Sequence, residues 1–103
     1  MRNKTYKLQK LEKQRYSILT DDLEHCIKCK KSPVDIHEIY CGAKRQVSMR
    51  NGFCVPLCRE HHRMVTDIRG ADLELRVVCQ EVYEQTHTRE DFIKLIGRNY
   101  LEL

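Results

Sequence analysis

A small α+β domain organised around a bound metal ion is the fold this sequence predicts, and three observations predict it. Cys26-Ile-Lys-Cys29 and Cys58-Arg-Glu-His61 are two knuckles 28 residues apart. Together they offer four soft or borderline ligands, the number a tetrahedral zinc site needs. Between them, two short β-branched and aromatic stretches enclose a basic segment, and helical patterns lie on both sides. The chain has 103 residues, 33% of them charged, with two Phe and no Trp. That is one domain with few bulky residues to fill a core, so a metal staple is physically reasonable.

The elements follow in chain order. Residues 4–19 predict a basic N-terminal helix: Arg2, Lys4, Lys7, Lys10, Lys13 and Arg15 recur at helical intervals, and Leu8, Leu11, Ile18 and Leu19 make a narrow apolar stripe. Asp21 and Asp22 then cap it or turn the chain before the first knuckle. Ser32-Pro33 turns into a strand over 34–40. Cys41-Gly42 and Arg50-Asn51-Gly52 read as breaks at the two ends of a basic loop, and a second strand covers 53–57 with Pro56 near its edge.

From Arg59 a helix carries His61, His62 and Met64 until residues 67–70 interrupt it. A further helix over 72–85 buries some of Leu73, Val77, Val78, Val82 and Tyr83. Thr88 and Asp91 form a reciprocal cap for a last short helix that Gly97 stops. The whole reads as one domain: a basic N-terminal helix over 1–20, a zinc-knuckle core over 24–68 and a C-terminal helical part over 71–103.

Charge is unevenly placed. Residues 1–50 hold 12 Lys/Arg against 6 Asp/Glu, and residues 51–103 hold 7 against 9, so the net +4 joins a +6 half to a −2 half. A charged helix face is ordinarily a solvated one, but Lys28, Lys30, Lys31, Lys44, Arg45 and Arg50 cluster around the knuckle region. A polyanion, nucleic acid above all, is the partner that cluster suits. No segment has the length of a membrane span, and no apolar stretch resembling a secretion signal precedes the cysteines. The expectation is a soluble cytoplasmic chain with reduced thiols. The absence of a Gly-rich phosphate loop and of a nucleophile elbow argues against nucleotide hydrolysis and acyl transfer.

Strand, loop, strand and helix around a knuckle, with His37-Glu38-Ile39, Pro56-Leu57-Cys58-Arg-Glu-His61-His62 and an Arg89-Glu-Asp-Phe-Ile-Lys94 tail, resembles the HNH or ββα-metal nuclease family. The likeness is closest to a small phage and prophage group within it, and it spans roughly residues 15–101. It implies an α+β fold: a small zinc-stabilised ββα-metal core with flanking N-terminal and C-terminal helices. It also implies a phage-type DNA endonuclease that hydrolyses or nicks phosphodiester bonds.

Two metals with different duties follow from that resemblance. Structural Zn2+ takes Cys26, Cys29, Cys58 and His61, the last standing where relatives usually carry Cys; His62, at Cys-x3-His spacing, is the alternative ligand. A catalytic Mg2+ or Mn2+ is held by His37 and His62, with Glu38 as general base or additional ligand. The bland reading of Glu38 is an exposed strand residue or a partner for Lys44 or Arg45.

Departures from the pattern matter as much. Thr66 stands where many HNH helices carry another His, Asp67 is turned about 100° from it, and Asn51, the one candidate for the middle Asn of the signature, also suits a turn with Gly52. These favour a competing class, a catalytically degenerate zinc-binding module that binds DNA or a host protein. Cys41 and Cys54 read as packed thiols, with a second metal pair or a disulfide as alternatives, and Cys79 as core. His25 stands beside a ligand, where it is a spectator or donates to the site, and His87 belongs to a turn between helices.

Overall fold

The computed structural model describes residues 6–68 and 70–101. Among them are a two-stranded antiparallel sheet and five α-helices in the order α1 (Tyr6–Lys13), β1 (Val34–Glu38), α2 (Arg45–Asn51), β2 (Cys54–Cys58), α3 (Arg59–Asp67), α4 (Leu73–Tyr83) and α5 (Arg89–Ile96), with a 3₁₀ turn at Gly42–Lys44. The α+β class is therefore as expected. The expected helix start at Lys4, with Arg2, lies outside the described residues, as do the side chains of Lys7 and Leu8.

The strands pair with Val34 opposite Cys58, Ile36 opposite Pro56 and Glu38 opposite Cys54. Proline inside a two-stranded ladder is acceptable here for a definite reason. The Pro56 carbonyl faces outward and accepts the Ile27 N–H at 2.9 Å; the missing N–H of the same residue lies on that same outer side, so the ladder loses no donor. All five residues of β2 are buried. This strand is the centre of the molecule.

Beneath it, Phe53 and Phe92, both fully buried, meet Tyr40, Tyr83 and Tyr100 in an aromatic cluster with ring centroids 5.4–6.1 Å apart. Such edge and tilted contacts add to the area each ring removes from water. The buried face of α4 is Leu75, Cys79, Gln80 and Tyr83. Of the residues expected there, Tyr83 is buried, whereas Leu73 and Val78 face solvent. Gln80 sits fully buried because its whole amide is used: Oε1 accepts the Tyr100 N–H at 2.7 Å, and Nε2 donates to Glu84 and Asn99.

Two expectations need correction. The N-terminal helix ends at Lys13 rather than Leu19. Residues 16–18 leave it because they make non-helical contacts instead: the Tyr16 carbonyl accepts from Cys54 Sγ, and the Ile18 N–H donates to the Gly52 carbonyl at 2.9 Å. The basic loop is helical, a 3₁₀ turn running into α2. Ser48 fastens that helix to the hairpin, its hydroxyl donating to the Tyr40 carbonyl at 2.7 Å and accepting the Tyr40 N–H at 3.2 Å. Later signals hold. Thr88 Oγ1 accepts the Asp91 N–H at 3.0 Å at the head of α5, and Gly97, at φ 87°, ends that helix.

Gly52 and Gly97 both close helices in the left-handed region, where a β-carbon costs about 1–2 kcal/mol. Only at Gly52 would that carbon also collide, 2.6 Å from a Tyr16 ring atom; at Gly97 it meets nothing within 4 Å. Gly52→Ala should therefore lose more stability than Gly97→Ala, by about 1–3 kcal/mol for the added overpacking. Urea unfolding of the two variants measures the difference, and equal losses would contradict the packing of Tyr16 on Gly52.

Candidate metal centre and the adjoining histidine pair

The first knuckle is a tight turn. Cys26 donates its N–H to the Lys31 carbonyl at 2.9 Å and accepts from the Lys30 N–H at 2.8 Å, while Lys30 takes the left-handed conformation (φ 68°) that closes the loop. The second knuckle is the junction of β2 and α3. Cys58 caps α3, its sulfur accepting the His61 N–H at 3.5 Å, so the first helical turn carries His61 back over the cysteines.

Cys26, Cys29, Cys58 and His61 bring one ligand atom each to within 4.8 Å of one another, close enough to hold a metal ion. Cys29 Sγ is 3.7 Å from Cys58 Sγ, and His61 Nδ1 is 3.5 Å from Cys26 Sγ and 3.3 Å from Cys58 Sγ. A tetrahedron with metal–sulfur bonds of about 2.3 Å and metal–nitrogen bonds of about 2.0–2.1 Å has edges of about 3.5–3.8 Å. Three of the six edges lie within about 0.2–0.3 Å of those values and all lie within 4.8 Å, close enough for the four donors to hold a metal.

Electrostatics point the same way. Burial pushes the Cys26 thiol up, but the N–H groups of Cys58, Cys29 and Lys28 outweigh it and bring the group down to about 6. For Cys29 the Lys31 N–H pulls downward, yet burial and the neighbouring sulfurs of Cys26 and Cys58 prevail and raise it. The cluster ionises its first thiol readily and resists the second. A cation removes that conflict.

His62 follows His61 by one residue and about 100° of helix. It therefore faces β1 instead of the cysteines, and His61, not His62, completes the four-ligand cluster. His62 Nδ1 lies 3.3 Å from Asp35 Oδ2, and its ring meets that of His37 edge to face with centroids 5.3 Å apart. Asp35 and His37, two apart on a strand, share the face that α3 covers. His37 Nε2 is buried with no hydrogen-bond partner among the described residues. Burial first, then His62, hold the His37 imidazole below its ordinary value, so it is neutral with a lone pair to offer near pH 7.

Glu38 stands elsewhere. One residue along the strand puts it on the opposite face from His37, where Arg15 Nη2 reaches its carboxylate at 2.6 Å and Arg45 Nε at 3.1 Å; Arg45 Nη2 also holds Glu12 at 3.0 Å. The reading of Glu38 as a partner for Arg45 is the one this geometry matches. Asp35 and Arg15 were missed by sequence reasoning. The signal for Asp35 was its two-residue spacing from His37; no local signal pairs Arg15 with Glu38, 23 positions on.

The basic residues expected to gather do not form one group. Lys28, Lys30 and Lys31 sit at the knuckle end of the hairpin, with Lys28 paired to Glu74 at 2.7 Å. Lys44, Arg45 and Arg50 belong to the 3₁₀ turn and α2 near its other end. Lys31 instead shares a cleft of about 390 Å³ with Asp35 and Arg59.

Thr66 spends its hydroxyl on the His62 and Arg63 carbonyls, both at 3.1 Å. Asn51 donates to the Val47 carbonyl at the end of α2, with Gly52 as its left-handed cap. His25 pairs with Asp22 at 2.8 Å. Cys54 and Cys79 are fully buried, and burial pushes their thiols up to about 11 and about 12. Cys41, expected to be packed, is exposed.

No protein-family model, no curated protein and no solved structure matches the chain. Among the described residues no helix is long and apolar enough to cross a membrane.

One metal ion per chain is expected by elemental analysis of the purified protein. Cys58→Ser should lose the ion and, with it, the helical circular dichroism of the native chain, as should exhaustive chelation. Cys41→Ser and His62→Ala should keep both. Retention of the ion by Cys58→Ser, or its loss in His62→Ala, would contradict the ligand set.

Proposed function

We propose that the chain is an HNH-like, zinc-stabilised domain that binds DNA and hydrolyses phosphodiester bonds at the His37–His62 pair. The observation that carries this reading is that seam of β1 and α3, where the His37 and His62 rings meet, Asp35 engages His62, and a buried His37 nitrogen has no partner among the described residues. Leaving such a group unsatisfied costs about 1–3 kcal/mol. A ligand at the seam offsets that cost, as strain kept for function does elsewhere.

Three cysteine sulfurs with one imidazole suit Zn2+ at the four-ligand centre, whose role is structural. The seam suits a different ion. Donors that are imidazole nitrogens first would fit Mn2+ better than Mg2+, which prefers oxygen and keeps its waters. Since only Cys26, Cys29, Cys58 and His61 are grouped closely enough to hold an ion among the described residues, His37 and His62 would draw together around it. A divalent cation bound there supplies charge stabilisation at a phosphoryl oxygen. The chain's own part is orientation: Asp35 fixes the His62 ring through Nδ1, leaving Nε2 free to bind, and Arg59 and Lys31, which share a cleft with Asp35, supply phosphate contacts.

A second reading, a non-catalytic module on the same scaffold that engages DNA or a host protein, is favoured by one observation. Glu38, the base that the HNH resemblance implies, is held by two arginines on the far face of the strand.

Plasmid nicking separates the two. With Mn2+, the zinc-loaded parent should relax supercoiled DNA. His37→Ala and His62→Ala should fall by about 10²-fold or more, Asp35→Asn by about 10- to 100-fold, and Glu38→Gln should lose stability with far less effect on chemistry. No nicking under Mn2+ or Mg2+ by folded, zinc-loaded protein would establish the module instead. A collapse of activity confined to Glu38→Gln would return the base role to that residue.

A further inference from the structure

We propose that a second site, on the side of the molecule formed by Tyr16, α2 and the turn after α4, receives an unpaired nucleobase. The inference rests on the nucleic-acid reading above but uses residues that it does not.

A cleft of about 420 Å³ lies there, within the about 300–1,000 Å³ typical of small-ligand sites. Its walls are rings and aliphatic groups: Tyr16, half-exposed, Tyr83 and His87, with Ile18 and Val82. The Tyr83 and His87 rings are stacked, 4.1 Å between centroids and 7° from parallel. Such flat surfaces accept a third flat ring, and base-on-aromatic stacking tolerates any base.

Polar groups stand where the edge of a base would meet them. His87 Nδ1 is engaged by Thr86 Oγ1 at 2.8 Å, which leaves Nε2 without a partner among the described residues. Asn51 uses Nδ2 on the Val47 carbonyl, leaving Oδ1 to accept. A planar heterocycle with both donors and acceptors matches this lining better than a plain aromatic ring, which would strand those groups.

The neighbouring cleft adds the rest of a nucleotide. Arg50 precedes Asn51, its carbonyl accepts the Tyr16 hydroxyl at 2.9 Å, and it lines a second cavity of about 480 Å³ with Arg45 and Gln46. The aromatic cleft and the one that Arg50 lines thus reach consecutive residues, Asn51 and Arg50, the order in which a nucleotide presents base and phosphate; Arg45 is already paired with Glu12 and Glu38, so Arg50 is the cation this arrangement offers. Paired bases are stacked inside a duplex and cannot enter, so the site selects single-stranded or locally opened nucleic acid.

The test uses the full metal-loaded chain and a fluorescein-labelled ten-residue oligothymidylate, with a duplex of equal length for comparison, read by anisotropy. The parent should bind the single strand more tightly than the duplex. His87→Ala and Tyr16→Leu should weaken single-strand binding about fivefold or more while leaving duplex binding unchanged, and Tyr16→Phe, which keeps the ring, should resemble the parent. His87 is exposed, so its variant tests the site without threatening the fold. Unchanged single-strand affinity in both His87→Ala and Tyr16→Leu would overturn the base site. If Lys31→Ala/Arg59→Ala then still weakened binding, nucleic-acid binding itself would stand. Failure of the parent to bind either oligonucleotide would overturn both readings.

Discussion

The four-ligand cluster is the constraint on which the rest of the molecule depends. It ties a turn at residues 26–31 to the junction of β2 and α3, adding to the packing of Cys26 and Ile27 on the core. Without a cation the cluster is a liability, since three thiols are held near one another and Cys26 ionises at about 6. With one, the apparent binding energy of a structural zinc site, about 10–16 kcal/mol in small peptides, rivals the about 5–15 kcal/mol net stability of an ordinary domain. In a chain with two Phe and no Trp, a contribution of that size would be comparable to the whole net stability.

From that anchor, the alternation of one short strand distributes the chemistry. β1 turns Asp35 and His37 toward α3 and Glu38 away from it. The first face holds the histidine pair. The second holds a tetrad in which Arg15 and Arg45 meet Glu12 and Glu38, two charges of each sign. Glu38 is nearly buried there, and replacing it alone would leave two guanidiniums sharing the single carboxylate of Glu12, the costly way to break such a network. Its position is that of a clamp between α1, the hairpin and α2. A residue that the HNH resemblance places in chemistry thus has a sufficient structural reason to be there.

Much of this was legible because it is local. Cysteine spacing gave the four ligands; β-branched runs gave both strands to within two residues; Thr88 and Gly97 marked the ends of α5. What failed was non-local. The helical pattern continues past Lys13 on paper through Arg15, Ile18 and Leu19, but Tyr16 and Ile18 bond to Arg50 and Gly52 instead, contacts more than 30 positions away that no window can contain. The segment around Arg45 looked like a loop because its charges and flanking glycines dominate. It is helical because Ser48 and Met49 are buried against the hairpin. The six basic residues look like one patch in sequence, and a five-residue hairpin, about 13 Å between its ends, separates them into two.

The adjacency of His61 and His62 carries a final consequence. One step along a helix is about 1.5 Å of rise and 100° of turn, so a single helical turn aims one imidazole at the sulfurs and the next at β1. Cys58 caps that turn through the His61 N–H, and β1 lies opposite Cys58 at Val34. The position of His62 relative to Asp35 and His37 is therefore set by the same contacts that assemble the metal cluster. Two sites with different donors share one mechanical support. Any change that loosens the cysteines must also displace the His62 ring, whereas the His62 ring can be removed without disturbing the cysteines. The dependence runs one way, from the metal centre to the histidine seam.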